Sequence, residues 1–164
     1  MKTVFLGIGT NLGEREENLR KSIKLIEEHI GRIINLSSVY ETEPWGFQAG
    51  NSFLNMAVKA ETKLSPSGLL GRILMIEALM GRLREGTEYK SRIIDIDILL
   101  YENRIIKTKV LVVPHPKIVQ RKFVLVPLSE IAGEVVHPVA GKSIQELLKV
   151  CKDEHYIVPL SAKL

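Results

Sequence analysis

The sequence predicts an α+β fold: a βαββαβ core in which two helices cover one side of an antiparallel sheet, with strand and helix additions toward the C-terminus. Three observations predict it. Short β-branched runs are separated by two segments with apolar residues at helical spacing. The segments follow one another in strand, helix, strand, strand, helix, strand order. No internal repeat, low-complexity tract or linker interrupts them. Taken in order, Thr3 to Ile8 reads as a buried strand, after which Gly7, Gly9, Thr10, Asn11 and Gly13 turn the chain. Asn11 is placed to cap a helix, with Glu14 three residues later, and Leu19, Ile23, Ile26 and Ile30 carry it until Gly31 stops it. Ile33 to Tyr40 reads as a second strand, Glu41 to Asn51 as a loop, and Phe53 to Thr62 as a third strand with Phe53, Asn55, Ala57 and Lys59 on one face. Ser65-Pro66 opens a second helix through Leu69, Leu70, Ile73, Ile76 and Met80, and a fourth strand runs from Ile93 to Tyr101. From Asn103 onward the pattern adds a strand pair around Ile105 and Val112, a helix beginning near Phe123 and a last helix from Ser143 to Cys151. This order is that of the ferredoxin-like split β-α-β sandwich, and residues 1–164 are read as one domain.

The 164 residues are 45% hydrophobic, enough for one respectable core. A single cysteine, Cys151, excludes an internal disulfide framework and suits a reducing compartment; its surroundings in sequence suggest packing rather than nucleophilic chemistry. The apolar run after Lys2 is too short for a signal peptide, and no run approaches a membrane span, so a cytoplasmic protein without a membrane partner is expected. The net charge of +4 admits nucleic acid, a membrane surface or a small polyphosphate as partner. Local arrangement narrows this, because Arg82, Arg84, Lys90, Arg92, Lys117, Arg121 and Lys122 gather in the stretches flanking one acidic strand.

That strand, Arg92-Ile93-Ile94-Asp95-Ile96-Asp97-Ile98, is the most telling feature of the chain. Side chains alternate, so Asp95 and Asp97 share one face while Ile94, Ile96 and Ile98 share the other. Their Cα atoms lie roughly 6.5–7 Å apart, close enough to hold one divalent cation or to bridge two. Buried carboxylates are costly without a compensating cation, and hard oxygen donors favour Mg²⁺, Mn²⁺ or Ca²⁺ over zinc. A wet edge strand is the plainer alternative. Arg82 and Arg92 tilt the reading toward phosphate, which a guanidinium grips through paired hydrogen bonds at permanent charge.

Val113-Pro114-His115-Pro116 fixes the backbone around His115, a loop histidine or one that donates to a phosphate oxygen. Gly7-Ile8-Gly9-Thr10-Asn11-Leu12-Gly13 lacks the third glycine of a dinucleotide fingerprint and reads as a tight turn, and a Walker A pattern is absent. Thr42-Glu43-Pro44-Trp45-Gly46-Phe47-Gln48 is an aromatic loop suited to closing over a flat ligand or to packing on the body. Two rival classes fit parts of this. An RNA-binding module would need aromatics alternating on central strands, and aromatics make up only 5% of the chain. A two-metal nuclease or nucleotidyl transferase would suit the aspartate pair equally well.

With these segments in order, the chain closely resembles the 6-hydroxymethyl-7,8-dihydropterin pyrophosphokinases of folate biosynthesis. The resemblance rests on Gly9-Thr10-Asn11-Leu12-Gly13, Ser38-Val39-Tyr40-Glu41-Thr42-Glu43-Pro44, Phe53-Leu54-Asn55, Arg92-Ile93-Ile94-Asp95-Ile96-Asp97, Val113-Pro114-His115-Pro116 and Arg121-Lys122-Phe123-Val124-Leu125-Val126-Pro127-Leu128. It implies transfer of diphosphate from ATP to the hydroxymethyl oxygen of the pterin, leaving AMP, by a monomer that needs no nucleic acid. It further implies Asp95 and Asp97 as ligands of two Mg²⁺ ions, with Arg82, Arg92, Asp95 and Asp97 as the catalytic set. On the ATP side stand Glu77, Arg82, Arg84, Arg92, Ile98, His115 and Arg121. On the pterin side stand Thr42, Pro44, Trp45, Phe53, Asn55, Asp95 and Phe123, the two phenylalanines stacking on the ring. The chain departs from the family pattern at Glu88-Tyr89-Lys90-Ser91, where a basic-x-glycine-proline run is usual, and at Leu74, where a polar residue often stands.

Overall fold

The computed structural model of the chain describes residues 1–43, 51–82, 93–160 and 164. Its centre is an antiparallel sheet of β1 (Lys2–Thr10), β4 (Phe53–Thr62) and β5 (Asp95–Tyr101), with β1 between the other two. The outer side of β4 is shared by two shorter strands: β2 (Gly31–Leu36) pairs with its C-terminal half and β3 (Tyr40–Thr42) with its N-terminal end. The second strand expected at Ile33 to Tyr40 is therefore broken in two. Ser37 makes the break, because its N–H donates to the Ala57 carbonyl while its hydroxyl accepts from the Ala57 N–H, holding the chain to β4 outside the regular ladder. Beyond β3 the sheet gains β8 (Ile157–Pro159), a strand that hydrophobic alternation does not announce.

Helix α1 (Arg15–His29) begins later than its capping signal predicted. Asn11 is fully buried beside the end of β1, and Glu14 occupies the cap position without a side-chain cap hydrogen bond. The turn is held instead by Asn18, whose amide donates to Thr10 Oγ1 at 3.1 Å and to the Leu12 carbonyl at 2.8 Å. Gly31 starts β2 rather than merely ending the helix: a Cβ there would lie 2.0 Å from the Glu61 carbonyl, so only glycine permits the close approach. Helix α2 (Pro66–Leu79) starts where Ser65-Pro66 predicted, with Ser65 Oγ accepting from the Gly68 N–H at 3.1 Å.

Period-two alternation divides the apolar residues between two cores. Val4, Leu6 and Ile8 of β1, Leu54, Met56 and Val58 of β4, and Ile94, Ile96 and Ile98 pack on one side with Leu19 and Ile26 of α1 and Leu69, Ile73 and Ile76 of α2. This is the expected helical layer. The expectation of helices on one side only gives way on the other face. There α3 (Lys122–Ala132) and α4 (Ile144–Val150) cover Phe5, Ala57, Leu99 and Leu100 with Leu125, Leu128, Ile144 and Leu147. A bulge makes this possible: Phe5 pairs with Leu100 and Leu6 with Ile98, so Leu99 is an extra residue and both leucines enter the second core. Between β5 and α3 lie a two-stranded ribbon, β6 (Ile106–Lys107) with β7 (Val112–Val113), and a 3-10 turn at Ile118–Gln120. The second core ends short of the sheet's edge, and a cleft opens there.

Candidate active site

The floor of the cleft is set by strand register. Across β1, Gly7 is paired with Asp97 on one side and Ala57 on the other, and Gly9 with Asp95 and Asn55. All six point to the face that carries α3. Because β1 offers only hydrogen atoms at positions 7 and 9, the aspartates of β5 and the asparagine of β4 face one another across a bare strip of backbone. A Cβ at Gly9 would lie 2.8 Å from Asn55 Oδ1, and one at Gly7 would lie 3.3 Å from Leu99 Cδ2. The sequence pattern alone suggests a turn at these glycines; their spacing of two on a strand is the signal for a floor.

Thr42, Glu43 and Phe53 form one wall, and Arg121, Phe123 and Val124 of α3 form the other. Open mouth included, the cleft encloses about 660 Å³. Asn55 is buried and its amide donates to Thr42 Oγ1 at 2.6 Å, which fixes the side chain with Oδ1 over Gly9. Two half-buried phenylalanines and an oriented amide are the elements of a slot for a flat, edge-polar ring. The Arg121 guanidinium lies 5.4 Å from the centre of the Phe123 ring.

The acidic end is tied to α2. Arg82 Nη1 donates to Asp95 Oδ1 and to Glu77 Oε2, both at 2.6 Å, and to the Ile94 carbonyl at 3.2 Å. Glu77, expected on the nucleoside side, is 1% exposed and also accepts from the Ile96 N–H at 2.9 Å. It thus joins α2 to β5 and aims Arg82. Burial pulls the Arg82 pKa down, but the two carboxylates outweigh it and push the value up. Asp97 is pushed up to about 7 by burial and by the charges of Asp95 and Glu77. A buried carboxylate held beside a second one, as Asp97 is beside Asp95, is a donor set suited to added positive charge. No group of three or more Asp, Glu, His or Cys placed to hold a metal occurs among the described residues. The pair therefore fits a hard divalent cation that takes its remaining oxygens from a ligand, the habit of Mg²⁺ with phosphates.

His115 follows a cis Val113–Pro114 bond and is anchored by its N–H to the Leu99 carbonyl at 3.0 Å. Its Nδ1 accepts from the Lys117 N–H at 3.2 Å, so the neutral ring carries its proton on Nε2. Burial and the neighbouring Arg121 lower its pKa to about 4, which keeps it a neutral donor at physiological pH.

Of the residues singled out in the sequence, Thr42, Phe53, Asn55, Asp95, Asp97, Arg121 and Phe123 line one cleft, with Arg82 bonded to Asp95. Ile98 is not among them: its side chain lies in the α1–α2 core on the opposite face. Arg84, Arg92, Pro44 and Trp45 lie outside the described residues. Val124, Leu99 and Glu43 also line the cleft; Glu43 and Val124 fall within motifs quoted above without being singled out there, and Leu99 reads only as an apolar strand residue.

Residues 5–133 match the family model described as 7,8-dihydro-6-hydroxymethylpterin-pyrophosphokinase. The chain is 44% identical over 146 residues to the 2-amino-4-hydroxy-6-hydroxymethyldihydropteridine pyrophosphokinase of Aquifex aeolicus, covering 89% of this chain and 90% of that one. It is 39% identical over 152 residues to the enzyme of the same name from Bacillus subtilis, covering 92% and 90%. The fold is similar to that of a crystal structure of Plasmodium falciparum HPPK-DHPS with pteroate, with a TM-score of 0.76 at 20% identity. That match covers 90% of this chain and 42% of the longer one.

Proposed function

The chain belongs to the 7,8-dihydro-6-hydroxymethylpterin-pyrophosphokinase family, and from that membership we propose how its cleft performs the reaction. The reaction is diphosphate transfer from ATP to the hydroxymethyl group of the dihydropterin in folate biosynthesis. The hydroxymethyl oxygen forms a bond to the β-phosphorus, the bond from that phosphorus to the α,β-bridging oxygen breaks, and AMP leaves with the bridging oxygen. The hydroxyl proton is lost on the Asp95–Asp97 side of the cleft. We assign the pterin to the slot between Phe53 and Phe123, its polar edge read by Asn55 and the Thr42 segment, and the triphosphate to the end lined by Asp95, Asp97 and Arg121.

Asp95 and Asp97 would hold two Mg²⁺ ions, which supply charge neutralisation and alignment of the triphosphate for in-line displacement. The chain's own residues do the remainder. Arg82, aimed by Glu77, and Arg121 oppose the charge on the transferred group, and His115 donates from Nε2 to a phosphate oxygen without adding charge. Arg84 and Arg92 belong to the same phosphate side, Pro44 and Trp45 to the pterin side. A nucleoside contact by Ile98 would have to come from its backbone, since its side chain points away.

The observation that carries this reading is the pairing of Asp95 and Asn55 across Gly9, which brings the cation end and the ring slot into one cleft. A cleft of about 660 Å³ between β3 and α3 supports small ligands rather than nucleic acid. No helix among the described residues is long and apolar enough to cross a membrane, and the free Cys151 supports a cytoplasmic setting. We read residues 1–164 as one pyrophosphokinase domain acting as a monomer. With β2 and β3 counted as one broken strand, the order β5, β1, β4, β2 supports the ferredoxin-like description. The test is AMP release from ATP and Mg²⁺ with and without 6-hydroxymethyl-7,8-dihydropterin. Pterin-dependent AMP is expected; ADP, or AMP without pterin, would refute the assignment.

A further inference from the structure

The two walls of the ring slot belong to different layers, since Thr42 and Glu43 continue from β3 while Phe123 stands in the first turn of α3. At the far end of α3 the layers are tied directly. Glu130 accepts from the Tyr40 hydroxyl, and from the Ser38 N–H and hydroxyl at 3.1 Å each. At the slot end the tie is made by residues near the C-terminus. Arg121, in the N-cap position of α3, offers no side-chain cap; the Lys122 N–H is instead accepted by Asp153 at 3.0 Å. The Asp153 side chain is 1% exposed and also accepts from the His155 N–H at 3.0 Å and lies 2.5 Å from its Nδ1. One residue further, the Tyr156 N–H donates to Glu43 Oε1 at 3.0 Å. The chain then pairs with β3 through Thr42–Ile157, Glu41–Val158 and Tyr40–Pro159, and the Leu160 N–H reaches the Val39 carbonyl at 2.8 Å. Within eight residues the segment bonds the start of the helix that carries Phe123 and the full length of the strand that carries Thr42.

The geometry points to residues 153–160 as a clamp that sets the separation of the two walls of the pterin slot, with Asp153 as its positioning residue. The inference rests on assigning that slot to the pterin. Asp153 touches no substrate; it acts by capping α3, so that Phe123 is presented at a fixed distance from Phe53. Loosening the cap lets the first turn of α3 fray and costs ring binding, while the phosphate end, built on β5 and α2, keeps its geometry.

Steady-state kinetics and amide hydrogen exchange on the full chain test this. Asp153→Ala should raise the pterin KM about fivefold, leaving the ATP KM and kcat within about twofold. Asp153→Asn keeps an acceptor oxygen for the Lys122 N–H and should restore most of the loss. Tyr156→Pro, which deletes the donor to Glu43 at an exposed position, should raise the pterin KM in the same direction and serves if the alanine variant folds poorly. Exchange at residues 122–125 should quicken in Asp153→Ala and not in Asp153→Asn, whichever substrate is turned over. Unchanged exchange, or equal losses for both substrates, would overturn the clamp. Faster exchange with an unchanged pterin KM would overturn the slot assignment beneath it.

Discussion

Asp97 carries the sharpest demand in the molecule, because it sits beside Asp95 with burial and two neighbouring negative charges opposing its ionisation. Asp97→Ala should abolish turnover, a loss of at least 10³-fold in kcat/KM, while circular dichroism shows the fold retained. Loss of the fold along with activity would make the residue structural instead. On the other side of Gly9 the prediction is steric: Gly9→Ala brings a Cβ to 2.8 Å from Asn55 Oδ1 and must displace that amide. The pterin KM should rise about tenfold with the ATP KM nearly unchanged, since one misdirected hydrogen bond to the ring is worth on the order of 1–2 kcal/mol. The aspartates, Phe53 and Asn55 were legible in the sequence because alternation on a strand assigns faces without tertiary knowledge. Gly7 and Gly9 were not, since a glycine flooring a cleft and a glycine making a turn differ only in register. Glu77 shows the converse limit: the family resemblance implied a place on the nucleoside side, and only the packing of α2 on β5 shows that its carboxylate accepts from Arg82 and from the Ile96 N–H.

Elements place these residues through a few cross-links, and each link has a measurable cost. Glu77→Gln removes one of the two carboxylates that the described residues set against the largely buried Arg82, so chemical denaturation should show a loss of about 2–3 kcal/mol. Turnover should fall as well, because Arg82 loses its aim; a stable but fully active variant would show that the link is incidental. The His115 turn makes a pH prediction. Its folded pKa of about 4 lies below the ordinary 6.5, so between those values the unfolded chain binds more protons than the native one. Stability contributed by the neutral ring is therefore present above 6.5 and lost as pH falls toward 4, by about 1–2 kcal/mol allowing for the ring's partial exposure. The stability difference between His115→Gln and the parent chain in urea denaturation should shift in the variant's favour as pH falls through that window, while Asp97, pushed up to about 7, acts in the opposite sense in both proteins. A difference that does not change with pH would assign the acid sensitivity elsewhere. Longer elements were readable from period alone, as Phe53–Thr62 and the capped start at Ser65-Pro66 illustrate. The short ones were not: β3 and β8 hold three residues each, β8 includes Pro159, and they exist because they pair with each other and with β4.

The molecule as a whole is one sheet with a core on each face, and the core under α3 is the one that backs the helical wall of the ring slot. Leu69 and Leu125 are both fully buried, Leu69 under α2 in the first core and Leu125 under α3 in the second. Truncating either to alanine removes similar buried area and leaves a comparable void, so each should cost about 2–4 kcal/mol by chemical denaturation. Their effects on function should separate. Leu125 lies one helical turn from Arg121, whose carbonyl accepts the Leu125 N–H at 3.0 Å, and two residues beyond Phe123. A void beneath it lets the helix settle and moves one wall of the slot. Leu69 supports the face turned away from the cleft, where Ile98 also lies. Leu125→Ala should therefore raise the pterin KM several-fold at temperatures where the protein remains folded, whereas Leu69→Ala should leave it within about twofold despite an equal stability loss. A pterin KM that tracks lost stability equally in both variants would mean that the sheet transmits strain between its two cores, and that the slot depends on the whole molecule rather than on α3.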